Sequence, residues 1–178
     1  IGYMLLGVSF GTEQGLTASL THLLNHGLMK GALFMAVACV VLRTGSHSIR
    51  AYAGLGGRMP LTAAAFIIGG LSLIGVPLTA GFVSKWQLLT AAFDSNRAWA
   101  GFLIVASSLI AVVYVGRIIE LMVLRPAPAG AHAANEAPSS MLLPLALIVA
   151  ANIYFGINTE LTVDLAERAA HALLGSAR

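Results

Sequence analysis

The sequence predicts an all-α integral membrane protein with about four to five transmembrane helices. One of these is broken at Gly75–Pro77, and an amphipathic helix closes the chain. Composition is the first observation: 58% of residues are hydrophobic and 10% charged, against the ~25% charged of soluble domains. The second is a series of near-continuous apolar runs of about 17 residues or more, enough for one membrane crossing. The third is where the lysines fall. Lys30 and Lys85 are the only two, and both lie inside apolar segments, whereas the loop cations are arginines.

Taken in order, Ile1 to Thr12 is apolar but too short to span. It reads as the tail of a membrane helix, so the chain is expected to be the C-terminal part of a longer one. The N-terminus has no charged stretch and cleavage site of the kind that marks a signal peptide. Glu13 to Gly15 is expected to form a short turn. Thr17 to Leu42 is then apolar enough to cross a membrane, yet it contains His22, His26 and Lys30. Spacings of four residues put the three side chains on one helical stripe, drifting about 40° per step over roughly 12 Å of rise. An ammonium group at this depth costs at least ~2.5 kcal/mol unless it faces a partner or a wet cavity, which points to an ion or proton path. The bland alternative is that His22 and Asn25 only bond neighbouring helices while Lys30 snorkels to an interface.

Arg43 to Pro60, with Arg43, His47, Arg50, Arg58 and Gly54, Gly56 and Gly57, reads as a loop whose positive charge fixes topology. Leu61 to Phe93 is apolar apart from Lys85 and a few hydroxyl and amide side chains. As one straight helix it would run about 50 Å, well beyond a ~30 Å hydrocarbon core. Gly75-Val76-Pro77, followed by Thr79 and Gly81, supplies the break. Two half-helices are expected, Leu61–Ile74 and Thr79–Phe93, with an unwound link lining a cavity, as at transport sites in carrier folds; a plain proline kink is the alternative. Lys85 then falls in the second half. Burial makes its charge costly, which suits a group that takes up and releases protons. Ser84 and Ser72 nearby are candidates to bond water or to pack between helices.

Asp94 to Arg97 reads as a polar turn and Ala98 to Leu124 as the next span. Arg117 and Glu120 share a face there, as a structural ion pair or as part of a charged relay. Arg125 to Ser140, rich in Pro, Ala and Gly, reads as a flexible loop. Met141 to Ile157 is a last, minimal span. In Thr159 to Leu174, Leu161, Leu165, Ala169 and Ala172 oppose Glu160, Asp164, Glu167 and Arg168, which suits a helix lying at the membrane interface or fraying in water. The two arginine-bearing loops, 43–60 and 125–140, should share one side. The positive-inside tendency assigns that side to the cytoplasm and the C-terminus to the outside.

Cys39 stands alone, which excludes an intrachain disulfide and a cysteine-based metal centre. His22-x-x-x-His26 has Leu23 where a zinc protease has Glu, and no third ligand is evident, so no metal site and no cofactor are expected. The net charge of +3 comes from scattered arginines and forms no nucleic-acid patch. Hydrolytic or nucleotide-binding motifs are missing, which leaves protonation chemistry among histidine and lysine.

Three stretches also carry a resemblance: HLLNHGLMKGALFMAV, GLGGRMPLTAAAFIIGGLSLIGVPLTAGFVSKWQLL and SSLIAVVYVGRIIE. They resemble the C-terminal part of the antiporter-like membrane subunits shared by respiratory complex I, membrane hydrogenases and multisubunit Mrp-type cation/proton antiporters. VPLTAGFVSKW is most similar to the D-type subunit of the Mrp antiporters. The resemblance implies a proton path through His22, His26, Lys30 and Lys85, with the helix break at Gly75, Pro77 and Gly81. Residues 1–124 would form the end of the proton-conducting domain, 125–140 a loop, and 141–178 the last membrane helix and tail. It implies a multi-pass subunit of a bacterial plasma membrane, a transporter component rather than an enzyme. Its partners would be other membrane subunits of an antiporter or respiratory complex, the lipid bilayer, protons, and Na+ or K+. Three readings stay open: a Na+ or K+/proton antiporter subunit, a redox-driven proton-pumping subunit, and a non-conducting scaffold. The family has two inverted five-helix repeats, of which this chain would contain only the end of the second, so it would hold half a path.

Overall fold

The computed structural model describes residues 1–127 and 135–175, and every regular element among them is helical. The longest, α2 (Glu13–Thr44), has 32 residues and is about 48 Å long. The other helices surround it, most packed directly against it and the others against those. They are α1 (Gly2–Val8), the short α3 (Leu55–Arg58), α4 (Pro60–Ile74), α5 (Ala80–Asp94), α6 (Ala98–Leu124), α7 (Ser139–Ile157) and α8 (Glu160–Gly175). Among the described residues three helices are long and apolar enough to cross a membrane, α2, α6 and α7, and α4 is a shorter apolar helix. With α4 and α5 as one interrupted crossing, this is the expected architecture.

Glu13 to Gly15 is not a turn but the first turn of α2. The Thr12 hydroxyl accepts from the Gly15 N–H at 3.1 Å, and Glu13 puts a carboxylate on the positive helix end. The segment 43–60 is more than a charged loop. A 3-10 turn (Ile49–Tyr52) and α3 bury Tyr52, Leu55 and Met59 against Ala36, Val40 and Phe66. Small residues set the close spacing of the spans: Gly69 lies against Ala32 and Leu33, and Gly70 against Val115.

One end of the bundle gathers the arginine-bearing segments, as expected. The Gly54 N–H donates to the Leu121 carbonyl at 3.1 Å. Of the 125–140 loop, residues 128–134 lie outside the described residues, but the segment after them is anchored. The Glu136 carboxylate accepts from the Leu61 N–H at 2.8 Å and the Thr62 hydroxyl at 2.5 Å, capping α4. Glu136→Ala should therefore lower stability by roughly 0.5–2 kcal/mol, as caps do. A thermal unfolding midpoint equal to that of the wild type would show that the cap contributes nothing. At the opposite end, the Arg97 guanidinium donates to the Ser9 carbonyl and sits 5.6 Å over the Phe10 ring.

Helix α8 is amphipathic, as expected, and docks on α2 through its small residues. Thr162, Ala166 and Ala170 are buried and α8 lies along α2, whereas Leu161 and Leu165 are exposed. Small side chains let two helices approach, and the leucines are left to face outward.

Candidate functional site

The break divides the crossing where glycine and proline stand. Helix α4 ends at Ile74, and Gly75 follows with φ +94°, a left-handed conformation open to glycine at little cost. Leu78 also has positive φ (+71°), and α5 starts after Thr79. The two halves are not laid end to end. Gly81 abuts Ser72, its N–H donating to Ser72 Oγ at 3.0 Å, and a Cβ on Gly81 would fall on the Ser72 carbonyl. The halves therefore overlap sideways, and Gly81 is what permits it.

This overlap brings Lys85, one turn further along α5, back to the end of α4. Its Nζ donates to the carbonyls of Leu73 at 2.7 Å and Ile74 at 2.9 Å, and to Ser108 Oγ of α6 at 2.9 Å. These carbonyls belong to the last turn of α4, which has no following turn to bond them. A cation there is also favoured by the negative end of the helix dipole. The cost of burying an ammonium that is only 8% exposed is thus offset by the groups that the break frees.

His22 lies beside it. Its Nδ1 is 2.8 Å from Ser84 Oγ, and its ring is fully enclosed. The His26 ring centroid is 5.7 Å away, along the stripe. Tyr3 of α1 comes between histidine and lysine: its ring meets His22 edge-on at 5.2 Å and lies 5.4 Å from Lys85 Nζ. The Tyr3 hydroxyl bonds Ser107 Oγ and donates to the Ile104 carbonyl at 3.3 Å. Lys30 is half-buried rather than enclosed, with Nζ 5.8 Å from the Phe34 ring.

A cavity of about 570 Å³ joins these groups. His22, His26, Lys30 and Lys85 all line it, with Tyr3 and Ser107. The four sequence candidates thus share one space, contributed by α2 and by α5 across it. Arg117 and Glu120 do not line it. Glu120 instead accepts from Arg117 at 2.7 Å and from Arg125 at 2.9 Å, in an exposed cluster at the end of α6. Sequence reasoning missed Tyr3 and the Ser107–Ser108 pair, whose only sequence signal is two hydroxyls within the apolar run of α6. Ser72 and Ser84 bond the Gly81 N–H and His22 directly. Among the described residues no group of three or more His, Cys, Asp or Glu is placed to hold a metal.

A family model described as NADH:quinone oxidoreductase/Mrp antiporter, TM, matches residues 1–111. The chain belongs to this family. All four cavity-lining His and Lys residues, and the break, lie within the matched stretch; Arg117 and Glu120 lie outside it. The chain is 36% identical over 173 residues to NADH-quinone oxidoreductase subunit N of Desulforudis audaxviator, covering 90% of this chain and 34% of that protein. It is 29% identical over 174 residues to the D-type subunit of the Na(+)/H(+) antiporter of Bacillus subtilis, covering 98% of this chain and 35% of that one. A chain of the Mrp complex from Dietzia sp. DQ12-45-1b superposes with a TM-score of 0.89 at 24% identity, over 96% of this chain and 40% of the other. The chain thus spans about a third of the length of the two curated relatives named. It is a membrane protein with the antiporter-like fold.

Proposed function

We propose that this chain carries a segment of the proton path in a multisubunit monovalent cation (Na+ or K+)/proton antiporter. The observation that carries the reading is the single cavity into which His22, His26, Lys30 and Lys85 open from two helices. The His22 and His26 rings are 5.7 Å apart, the cavity has room for water between the four groups, and histidine and lysine are side chains suited to carrying protons there. His22 passes protons between His26 and Ser84, and Lys85 is the terminal group beside the break. The end of the bundle that holds the arginine segments faces the cytoplasm of a bacterial plasma membrane. Partners are other membrane subunits, which supply the rest of the path.

A second reading is a proton-pumping subunit of an NADH:quinone oxidoreductase or membrane hydrogenase, driven by redox chemistry elsewhere. The identity to subunit N favours it. A non-conducting scaffold is disfavoured by the burial of Lys85 in a cavity shared with two histidines.

Proton flux in inverted vesicles separates the three, using the full-length protein with its co-encoded partners, against Lys30→Ala and Lys85→Ala. Antiport is expected to show as discharge of a preset pH gradient on adding Na+ or K+ without an electron donor, lost in both variants. If cations have no effect and NADH or hydrogen drives lysine-dependent pumping, the redox reading replaces it. Equal behaviour of wild type and variants under every condition would leave the lysines structural.

A further inference from the structure

A second face of α2 carries polar groups that the cavity does not use. Glu13, Thr17, Thr21 and Asn25 follow one another at four-residue spacing, turned about 100° from the His22 stripe. The His22 stripe presents nitrogen; this one presents oxygen. Thr17 is 7% exposed, and Thr21 and Asn25 are fully enclosed. Thr21 Oγ1 and Asn25 Oδ1 are buried without a hydrogen-bond partner. So is Gln87 Oε1 on α5, and so are both polar atoms of Asn152 on α7.

Contacts near the start of α5 link the three helices that carry these atoms. Asn25 donates through Nδ2 to the Ala80 carbonyl at 2.7 Å, at the start of α5. Asn152 shares a face of α7 with Gly156, one turn on, and Gly156 abuts Leu78 and Thr79, just before Ala80. Every buried, unpartnered side-chain polar atom found among the described residues lies on this face of α2 or on α5 and α7, two helices that pack on α2. A membrane helix has no bulk water to satisfy such groups, so each orphan is costly unless something binds it.

At the N-terminal end of α2 the stripe opens into a pocket of about 300 Å³. Its lining includes Glu13, Thr17, Gln87, Thr90 and Glu167 of α8. Among the described residues, neither Glu13 nor Glu167 has an ion-pair partner. Two carboxylates facing one concave mouth concentrate cations there.

We propose that the seam from Glu13 and Glu167 through Thr17 and Thr21 to Asn25, completed by Gln87 and Asn152, is a binding path for a partly dehydrated monovalent cation, Na+ or K+. Hydroxyl and amide oxygens are hard ligands that replace a hydration shell without trapping the ion. The buried stretch holds no carboxylate, which disfavours a divalent ion, and no titratable side chain, which disfavours a proton relay. In its role, though not in its geometry, the seam rests on the antiport reading above. Thr21 and Asn25 adjoin His22 and His26 in sequence, so a cation in the seam and a proton on the neighbouring histidine repel each other within one helix. Exchange of one for the other follows from that repulsion.

The test is binding of 22Na+, and of 86Rb+ standing for K+, to the purified full-length protein with its partner subunits. Thr21→Val should weaken apparent affinity at least fivefold, whereas Thr21→Ser, which keeps the hydroxyl, should retain it. Asn152→Leu carries the same test should Thr21→Val not assemble, and Glu13→Gln with Glu167→Gln should slow cation entry. Wild-type affinity in Thr21→Val or Asn152→Leu would overturn the seam. So would a wild-type protein that binds neither ion, the seam then holding water alone. Binding without cation-driven proton flux would sink the antiport reading and leave the seam standing. Flux with an unchanged KM for the cation in the seam variants would do the reverse.

Discussion

Lys85→Arg is expected to assemble like the wild type and yet to lose cation-driven proton flux by at least about a hundredfold, equivalent to ~2.7 kcal/mol in the barrier. The ammonium's three acceptors, the Leu73 and Ile74 carbonyls and Ser108 Oγ, lie at 2.7–2.9 Å. A guanidinium keeps the positive charge and the donors that these groups need, but it cannot be deprotonated. Charge and anchoring are thereby separated from proton release. Lys85→Met removes both: flux should fall as far, and the stranded carbonyls should cost a further 1–3 kcal/mol or so of stability. Flux would be measured in vesicles as the rate of pH-gradient discharge per assembled complex. Wild-type flux in Lys85→Arg would mean that Lys85 is an anchor and not a proton carrier.

Gly81→Ala is expected to give the largest loss of stability of any single methyl added in the described helices. Its Cβ would land on the Ser72 carbonyl, with Ser72 Oγ 2.9 Å away. Backbone cannot rotate aside as a side chain can, so the two half-helices must part. Parting them breaks the 3.0 Å bond from the Gly81 N–H to Ser72 Oγ and draws Lys85 away from its carbonyls. Overpacking of this kind costs ~1–3 kcal/mol, and more where backbone is the obstacle. Gly27→Ala is the matched control. A Cβ there meets nothing within 4 Å, and alanine for glycine in a helix is worth about 0.5–1 kcal/mol in the stabilising direction. The unfolding midpoint of the purified complex should thus fall for Gly81→Ala and hold or rise for Gly27→Ala. Equal midpoints would show that the halves do not overlap as described.

The break was legible because a Gly-Val-Pro sequence admits few continuations: α4 and α5 end and begin within a residue or so of the expected bounds. The His22–Lys30 stripe was legible because its spacing is a property of one helix. Tyr3 was not, since its contacts with His22, Lys85 and Ser107 join four elements whose packing no local pattern specifies. The oxygen stripe of α2 was hidden for another reason. Threonine and asparagine within a span are usually satisfied by neighbours, and only the packed structure reveals which oxygens have no partner. In α8 the outward leucines fit the interfacial reading, but the face that packs on α2 was not legible. Against α2 the tight fit belongs to Thr162, Ala166 and Ala170, and nothing in a membrane drives leucine away from the lipid-facing side.

Ser84 and Lys85 are consecutive residues of one rigid helix, and each is tied to a different neighbour. Ser84 is held by His22 of α2, Lys85 by the last carbonyls of α4. Helix α5 therefore behaves as a single lever with two contacts on the same short arm. A slide or roll large enough to release the lysine from α4 also carries the serine away from the histidine. The His22–Ser84 contact and the Lys85–α4 contacts cannot be opened one at a time by moving α5; they switch together or through side-chain rotation alone. A spectroscopic label on α5 and a hydrogen-exchange probe at His22 would then report one transition, at one rate.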